Sequence, residues 1–167
     1  MTNIYHATPY DISATGFYFK TYDEYAEKAA NHTNAHGSPV EEYEIQFIDG
    51  DNYKLFEALC VNQANLKQWF DDFEGLFGDD FIKALYLAED LNCSIDEVLD
   101  HMDDVCLFEG SAQEYAEQFI EETGMLDEIP ENLRCYFDTE AFARDLVISG
   151  DVTEVEIDGI SYIAWGH

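Results

Sequence analysis

The feature that most constrains this 167-residue chain is a run of fifty residues, 84–133, that contains no Lys or Arg. We call this run the acidic stretch. It carries fifteen acidic residues: Glu89, Asp90, Asp96, Glu97, Asp100, Asp103, Asp104, Glu109, Glu114, Glu117, Glu121, Glu122, Asp127, Glu128 and Glu131. Carboxylates are rarely buried without a cationic partner, because burial removes their hydration. We therefore expect the acidic stretch to place them on its surface and to bury only its apolar side.

The whole chain is also strongly acidic, since 37 acidic residues against 7 basic ones give a net charge of −30. An apolar content of 47%, with 15% aromatic residues, can still supply a core, so global disorder is disfavoured. Self-repulsion opposes folding, and the charge therefore needs a separate explanation. Duplex DNA carries one phosphate per roughly 1.7 Å, so this charge equals that of about 50 Å of duplex. The sign nearly excludes binding along a nucleic-acid backbone.

The first sixty residues favour strands around one helix. Short aromatic or β-branched runs at 4–7, 17–19 and 43–47 predict strands, the last by its period of two. Thr21 precedes Glu24 with capping-box spacing and predicts a helix over Tyr22–Ala30. Asp49-Gly50-Asp51-Asn52 predicts a turn rather than a calcium loop, because its glycine is second instead of sixth.

The middle of the chain favours short helices from about residue 63 to 124. Apolar side chains recur at helical spacing, in the order Leu66, Trp69, Phe70, Phe73, Phe77, Phe81, Leu85 and Ala88. Ser94 with Glu97, and Ser111 with Glu114, have the spacing of two more capping boxes. We expect the helices that follow them to bury Val98, Leu99, Met102, Tyr115, Phe119 and Ile120.

The end of the chain predicts helices and a hairpin. Pro130 suits the first position of a short helix, and Asp138 or Thr139 can cap a helix that Gly150 stops. Asp158-Gly159 lies between two apolar runs and is a strong type I′ hairpin signal. The predicted fold class is α+β, a chain of three modules: a strand-rich α+β module at 1–61, a helical module at 62–105, and an α+β module with a terminal hairpin at 106–167.

Motifs of catalysis and cofactor binding are absent from the sequence. We find no phosphate loop, dinucleotide fingerprint, metalloprotease helix or nucleophile elbow, and paired carboxylates are too numerous to single out one pair. Four widely spaced cysteines, Cys60, Cys93, Cys106 and Cys135, indicate buried free thiols rather than a metal site. We predict no enzymatic activity, no cofactor and no metal. The chain also begins without a signal peptide and lacks a membrane-spanning run, so a cytoplasmic location is expected.

The positive signal is the spacing of acids on the predicted helices. Residues three or four apart lie on one helix face, so two acidic rows are predicted, and like charges there repel at a cost of a few tenths of a kcal/mol per pair. A solvated face with no partner, as in halophilic proteins, explains such rows equally simply. A partner with a DNA-binding cleft is the sharper interpretation. The expected contact positions are Asp96, Asp100, Asp103, Asp104, Glu109, Glu114, Glu117, Glu121 and Glu122.

The sequence from 94 to 151 resembles the ArdA antirestriction proteins. The resemblance rests on residues 111–124, Ser-Ala-Gln-Glu-Tyr-Ala-Glu-Gln-Phe-Ile-Glu-Glu-Thr-Gly, and on the segments 129–133, 136–138, 143–146 and 149–151, with 37–42 as an earlier match. Two segments depart from the family pattern. Residues 16–20 lack its usual Trp-containing strand, and 105–108 replace a stretch that commonly contains Tyr and Gly. These departures bear on target preference more than on fold.

The resemblance implies an elongated, three-module DNA mimic that inhibits type I restriction-modification enzymes and dimerises through its C-terminal module. Possible dimer contacts are Leu133, Cys135 and Tyr136, with the hairpin from Val152 to Trp165 as the alternative patch. Tyr136, with Tyr115 and Phe119, is also expected in the core. The implied partner is the methyltransferase core, with no nucleic acid or membrane bound. The alternative left open by the residues is an acidic inhibitor or regulator of another basic DNA-binding protein or a nuclease effector.

Overall fold

The computed structural model describes residues 2–166, and the chain forms two compact units, Met1–Leu99 and Asp100–His167. Both units combine helices with an antiparallel sheet of three strands, so the α+β prediction is confirmed. The division into modules 1–61, 62–105 and 106–167 stays a prediction. Within the described residues, no helix is both long and apolar enough to cross a bilayer.

The first unit is built on a sheet of order β2-β1-β3, formed by β1 (Ile4–Pro9), β2 (Phe17–Phe19) and β3 (Tyr43–Asp49). Side chains alternate across this sheet because the strand period is two. Tyr5 and Ala7 are fully buried on one face, whereas His6 pairs with Tyr18 on the other. Helix α1 (Tyr22–Ala30) follows β2 and has the predicted bounds.

Tyr5 forms the centre of an aromatic core in the first unit. The centroid of its ring lies 5.1–5.8 Å from those of Phe19, Phe47, Phe56 and Phe70. The Tyr5 hydroxyl accepts a hydrogen bond from Trp69 Nε1 at 2.8 Å and donates one to Glu74 at 3.4 Å. Burial raises the pKa of both Tyr5 and Glu74 because it disfavours their charged forms. This network ties the sheet to the helices of the same unit.

Those helices are short and two of them end in a wide turn. They are α2 (Tyr53–Ala58), α3 (Leu66–Gln68), α4 (Gly78–Leu85) and α5 (Ile95–His101). Helix α3 continues as a π-helical turn at Trp69–Phe73 and α4 as another at Tyr86–Asp90. The amide of Glu74 bonds to the carbonyl of Trp69 at 2.8 Å, and that of Leu91 to Tyr86 at 3.3 Å, the i→i+5 pattern of a π turn.

The second unit is built on a sheet of order β4-β6-β5. A 3₁₀ turn, Met102–Asp104, precedes it. Helices lie between its strands in the chain order β4 (Cys106–Glu109), α6 (Ala112–Thr123), 3₁₀ helices Met125–Glu128 and Glu131–Tyr136, α7 (Thr139–Ile148), β5 (Thr153–Ile157) and β6 (Ile160–Trp165). The predicted hairpin is confirmed: Asp158 and Gly159 have φ of 54° and 80°, as a type I′ turn requires.

Several predicted core positions are wrong. Phe77 is 84% exposed because it precedes α4 in an extended conformation and so leaves the apolar stripe. Leu99 is 43% exposed and Met102 only half-buried, because the short α5 buries Ile95 and Val98 instead. Tyr136 is 80% exposed, while Tyr115 and Phe119 are half-buried. Pro130 also precedes its helix rather than beginning it.

The cysteine prediction is right about pairing and wrong about burial. All four thiols are free, but Cys60, Cys106 and Cys135 are exposed and Cys93 is half-buried. Cys60 follows α2 with φ of 52°, and Cys106 begins a strand at the edge of its sheet. Cys135 lies in a 3₁₀ helix that buries none of its residues. Small apolar residues can therefore lie outside the core when they fall at the ends and edges of elements.

Candidate partner-binding surface

Helix α6 carries four of the predicted contact residues and begins with a complete capping box. The Ser111 hydroxyl accepts from the Glu114 amide at 3.2 Å, and the Glu114 carboxylate accepts from the Ser111 amide at 3.3 Å. The helix ends at Gly124, whose left-handed conformation, with φ of 64°, lets its amide bond to the Ile120 carbonyl. The capping box that predicted this helix therefore fixes its start, and Gly124 fixes its end.

Of the other two predicted capping boxes, one forms completely and one forms only in part. Ser94 and Glu97 also bond reciprocally, at 2.7 and 3.4 Å, as predicted. Thr21 accepts from the Glu24 amide at 3.1 Å, but the Glu24 carboxylate accepts from the Lys20 amide instead of from Thr21. The threonine is therefore a true N-cap, while the capping box there is wrong in its second bond.

The two faces of α6 divide cleanly between core and solvent. Ala116 and Ile120 are buried, and the Tyr115 ring lies 4.9 Å from that of Trp165 on β6. Phe119 contacts Phe142 on α7, with ring centroids 6.1 Å apart. The opposite face exposes the row Glu114, Glu117 and Glu121, while Glu122, two turns after Tyr115, is also exposed. Packing of the apolar side therefore holds these carboxylates towards solvent.

Amide side chains, rather than ammonium groups, contact the acids of this row. Gln113 Nε2 donates to Glu117 at 3.3 Å, and Gln118 Nε2 donates to Glu122 at 2.7 Å, both one helical turn apart. In the first unit, Gln68 Nε2 donates to Asp96 at 3.0 Å. Such contacts restrict the carboxylates and leave their negative charge intact, which a Lys in the same place would cancel. The i, i+4 spacing of Gln and Glu in the sequence could have predicted the two hydrogen bonds on α6.

The remaining predicted contact residues lie on shorter elements. Asp100 is exposed in the last turn of α5, and Asp103 and Asp104 are exposed in the 3₁₀ turn that follows. His101 Nδ1 lies 3.2 Å from the Asp104 carboxylate. Glu109 ends β4 and is exposed. Among residues 2–166, none of the nine predicted contact carboxylates has a Lys or Arg within 4.0 Å.

The second unit has a further pair of acids that the prediction omitted. Glu154 and Glu156 are exposed on β5, where they alternate with the buried Val155 and Ile157. The turn signal at Asp158-Gly159 predicted this strand, but the acids on it were not placed on a surface. From residue 100 onwards, all eighteen Asp and Glu residues are exposed, against two Arg and no Lys.

The predicted dimer residues lie together on one short helix. Leu133, Cys135 and Tyr136 are all exposed in the 3₁₀ helix Glu131–Tyr136. Residues three apart eclipse one another in a 3₁₀ helix, so Leu133 and Tyr136 share one side. Their exposure makes them available for contact, and self-association through them stays a prediction.

Across residues 2–166, no group of three or more His, Cys, Asp or Glu side chains is arranged as a metal site. The carboxylates instead lie along helix faces and strand edges, where they are spread over the surface.

Fold and surface together define a small α+β protein with an uncompensated acidic surface. Residues 10–160 match the family model described as "Antirestriction protein (ArdA)". Because this match covers most of its length, the chain belongs to the ArdA antirestriction family. The comparison with curated proteins gives no significant match.

Proposed function

We propose that this antirestriction protein inhibits type I restriction-modification enzymes by DNA mimicry, without catalysis of its own. Its exposed carboxylates would take the places of duplex phosphates in the DNA-binding cleft of the methyltransferase core. The observation that carries the proposal is the absence of any Lys or Arg within 4.0 Å of the nine contact carboxylates among residues 2–166. Their charge therefore remains available to a basic partner.

Long-range electrostatics makes such a surface effective against a basic cleft. Clefts lined by one sign of charge attract ligands of the opposite sign and accelerate their association. Each exposed charge contributes only about 1 kcal/mol or less on its own. The binding energy is therefore spread over many carboxylates, and no single one is expected to dominate.

The direct test is competition with labelled duplex for a purified type I methyltransferase. We expect the protein to displace the duplex, with an affinity that falls by up to about 10³ between 50 and 200 mM salt, because phosphate contacts show this dependence. An affinity that is flat over this range would contradict phosphate mimicry and favour an apolar interface.

A row variant tests which carboxylates take part. Replacing Asp96, Asp100, Asp103 and Asp104 together by Asn removes four charges from one row. A matched variant replaces Glu27, Glu41, Glu42 and Glu44, all exposed in the first unit, by Gln. The row variant should lose at least tenfold more inhibition than the matched one, while Asp103→Asn alone should lose little. Equal losses in the two variants would remove this row from the binding face.

Self-association belongs to the same proposal. A type I enzyme reads a bipartite DNA site, and a two-fold dimer would match it better than one chain, whose charge equals only about 50 Å of duplex. We expect Leu133→Ser with Tyr136→Ser to shift sedimentation equilibrium towards monomer, while Ile148→Ser, at another exposed apolar residue of that unit, does not. A wild-type monomer at micromolar concentration would contradict the dimer.

The second candidate function is inhibition of another basic DNA-binding protein or a nuclease effector by the same charges. The observation that favours it is the lack of any base-like recognition group among the contacts, since carboxylates alone do not distinguish one basic cleft from another. Competition against a panel of basic DNA-binding proteins decides between the two. Selective displacement from type I enzymes supports the first proposal, and stronger displacement from another target supports the second.

A further inference from the structure

One segment of the second unit has a fixed path although it buries no side chain. The 3₁₀ helices Met125–Glu128 and Glu131–Tyr136 follow one another around Pro130, and neither contains a buried residue. The segment exposes the last three acids of the acidic stretch, Asp127, Glu128 and Glu131. Because its apolar residues Met125, Leu126 and Ile129 are only half-buried, hydrogen bonds add to what holds this path.

Arg134 supplies such bonds from the middle of the second helix. Its Nε donates to the Ile129 carbonyl at 3.0 Å, and its Nη2 donates to the Asp127 carbonyl at 3.5 Å. Nη2 also lies 4.0 Å from the Asp127 carboxylate, which is 82% exposed. The planar guanidinium can bond to two acceptors at fixed angles, which the single ammonium of Lys cannot reproduce. Arg134 therefore joins the second 3₁₀ helix to the end of the first.

The other arginine of this unit provides a contrast. Arg144 lies on α7, its side chain is exposed, and its guanidinium has no hydrogen bond or ion pair with another described residue. Arg134 is only 37% exposed, since its side chain folds back on the segment. The two residues carry the same charge, so their effects on electrostatics are similar while their effects on this backbone differ.

We propose that Arg134 is a positioning residue for partner binding, which keeps the 125–136 backbone in the conformation that presents its acids. This inference rests on the proposed function. A cation within an acidic surface should weaken binding to a basic cleft, so on charge alone its loss would improve inhibition. Preorganisation works in the opposite direction, because a segment ordered in advance loses less entropy on binding. The two effects therefore predict opposite signs for one substitution.

The experiment compares Arg134→Met with Arg144→Met in the full chain. Each changes the net charge from −30 to −31. We expect R134M to need about tenfold more protein than R144M to displace labelled duplex from the methyltransferase, because ordering of several side chains reaches this size. R134K should recover part of the loss, since Lys can bond to one of the two carbonyls. The salt dependence should be the same in R134M and R144M, because their charges are equal.

Hydrogen exchange separates positioning from a general loss of stability. We expect faster exchange in R134M at the amides of 127–137, with the amides of α6 and β6 unchanged. Displacement by R134M equal to or better than that by R144M, while the wild type is active, would overturn the inference and leave the proposed function standing. General acceleration of exchange throughout the second unit would overturn it as well. Failure of the wild type to displace duplex would instead remove the proposed function.

Discussion

At the residue scale, Glu74 shows that one acid among 37 can have a role of its own. Its carboxylate is half-buried and accepts hydrogen bonds from Asn3 Nδ2 and the Tyr5 hydroxyl, both at 3.4 Å. Burial is the main cause of its raised pKa, and the two hydrogen bonds only partly offset it. The ionised form is therefore disfavoured in the folded state. Unlike the exposed acids, Glu74 lowers stability at neutral pH by an effect confined to its own site.

Replacing Glu74 by Gln should stabilise the protein at neutral pH. A folded-state pKa above the ordinary value of 4.5 gives stability that is present below that value and lost as pH rises through the folded pKa. Gln keeps the Oε1 acceptor and cannot ionise. We expect the unfolding temperature of Glu74→Gln at pH 7.5 to be about 1–3 °C above that of the wild type, and this difference to shrink at pH 5. Glu27→Gln removes an equal charge at an exposed position, and a gain as large there would contradict this account.

At the element scale, local signals fixed some elements in advance, while non-local packing decided others. The N-cap at Thr21 and the hairpin turn at Asp158-Gly159 are written in adjacent residues, so α1 and the β5–β6 hairpin could be predicted. Strand β4 has only four residues and pairs with β6, more than fifty residues away, so no local pattern marked it. The wide turn at Trp69–Phe73 likewise depends on which rings must be buried together. Periodicity also predicted exposed acids on α6, but not the backbone path of 125–136.

Gly110 is the residue on which the start of α6 depends. It has φ of +148°, and a Cβ there would meet the Glu114 carboxylate and lie 2.7 Å from the Phe108 ring. Gly110→Ala should therefore displace the capping glutamate as well as strain the backbone, at a total cost of about 2 kcal/mol. Gly150→Ala, with φ of 82° and open space around it, suffers strain alone and serves as control. Denaturant unfolding that gives equal costs for the two variants would contradict a role in capping.

At the scale of the whole molecule, stability should depend on the surrounding salt. The net charge of −30 is opposed by few ion pairs, such as Lys28 with Glu24 at 2.9 Å and Lys67 with Asp71 at 2.6 Å. Added salt screens more repulsion than attraction, because acidic residues far outnumber basic ones. The screening is strong, since the Debye length falls to about 8 Å at 0.15 M. We expect the unfolding temperature to rise by about 5 °C between 10 and 200 mM sodium chloride and then to level off. If the unfolding temperature fell between 10 and 200 mM salt, attraction between oppositely charged residues would outweigh the repulsion.

The exposed thiols of Cys60, Cys106 and Cys135 carry a practical consequence for every assembly measurement. Collisions between like-charged chains are discouraged at low salt and become frequent once the charge is screened. Air oxidation should then link chains covalently, with faster cross-linking at higher salt, whereas a thiol in a core would be protected. Non-reducing gels at 20 and 500 mM salt measure this directly. Without a reductant, such covalent pairs would pass for a native dimer. Because Cys135 is itself a predicted dimer contact, the same measurement with a reductant, rather than a Ser variant, shows which mass belongs to the protein itself.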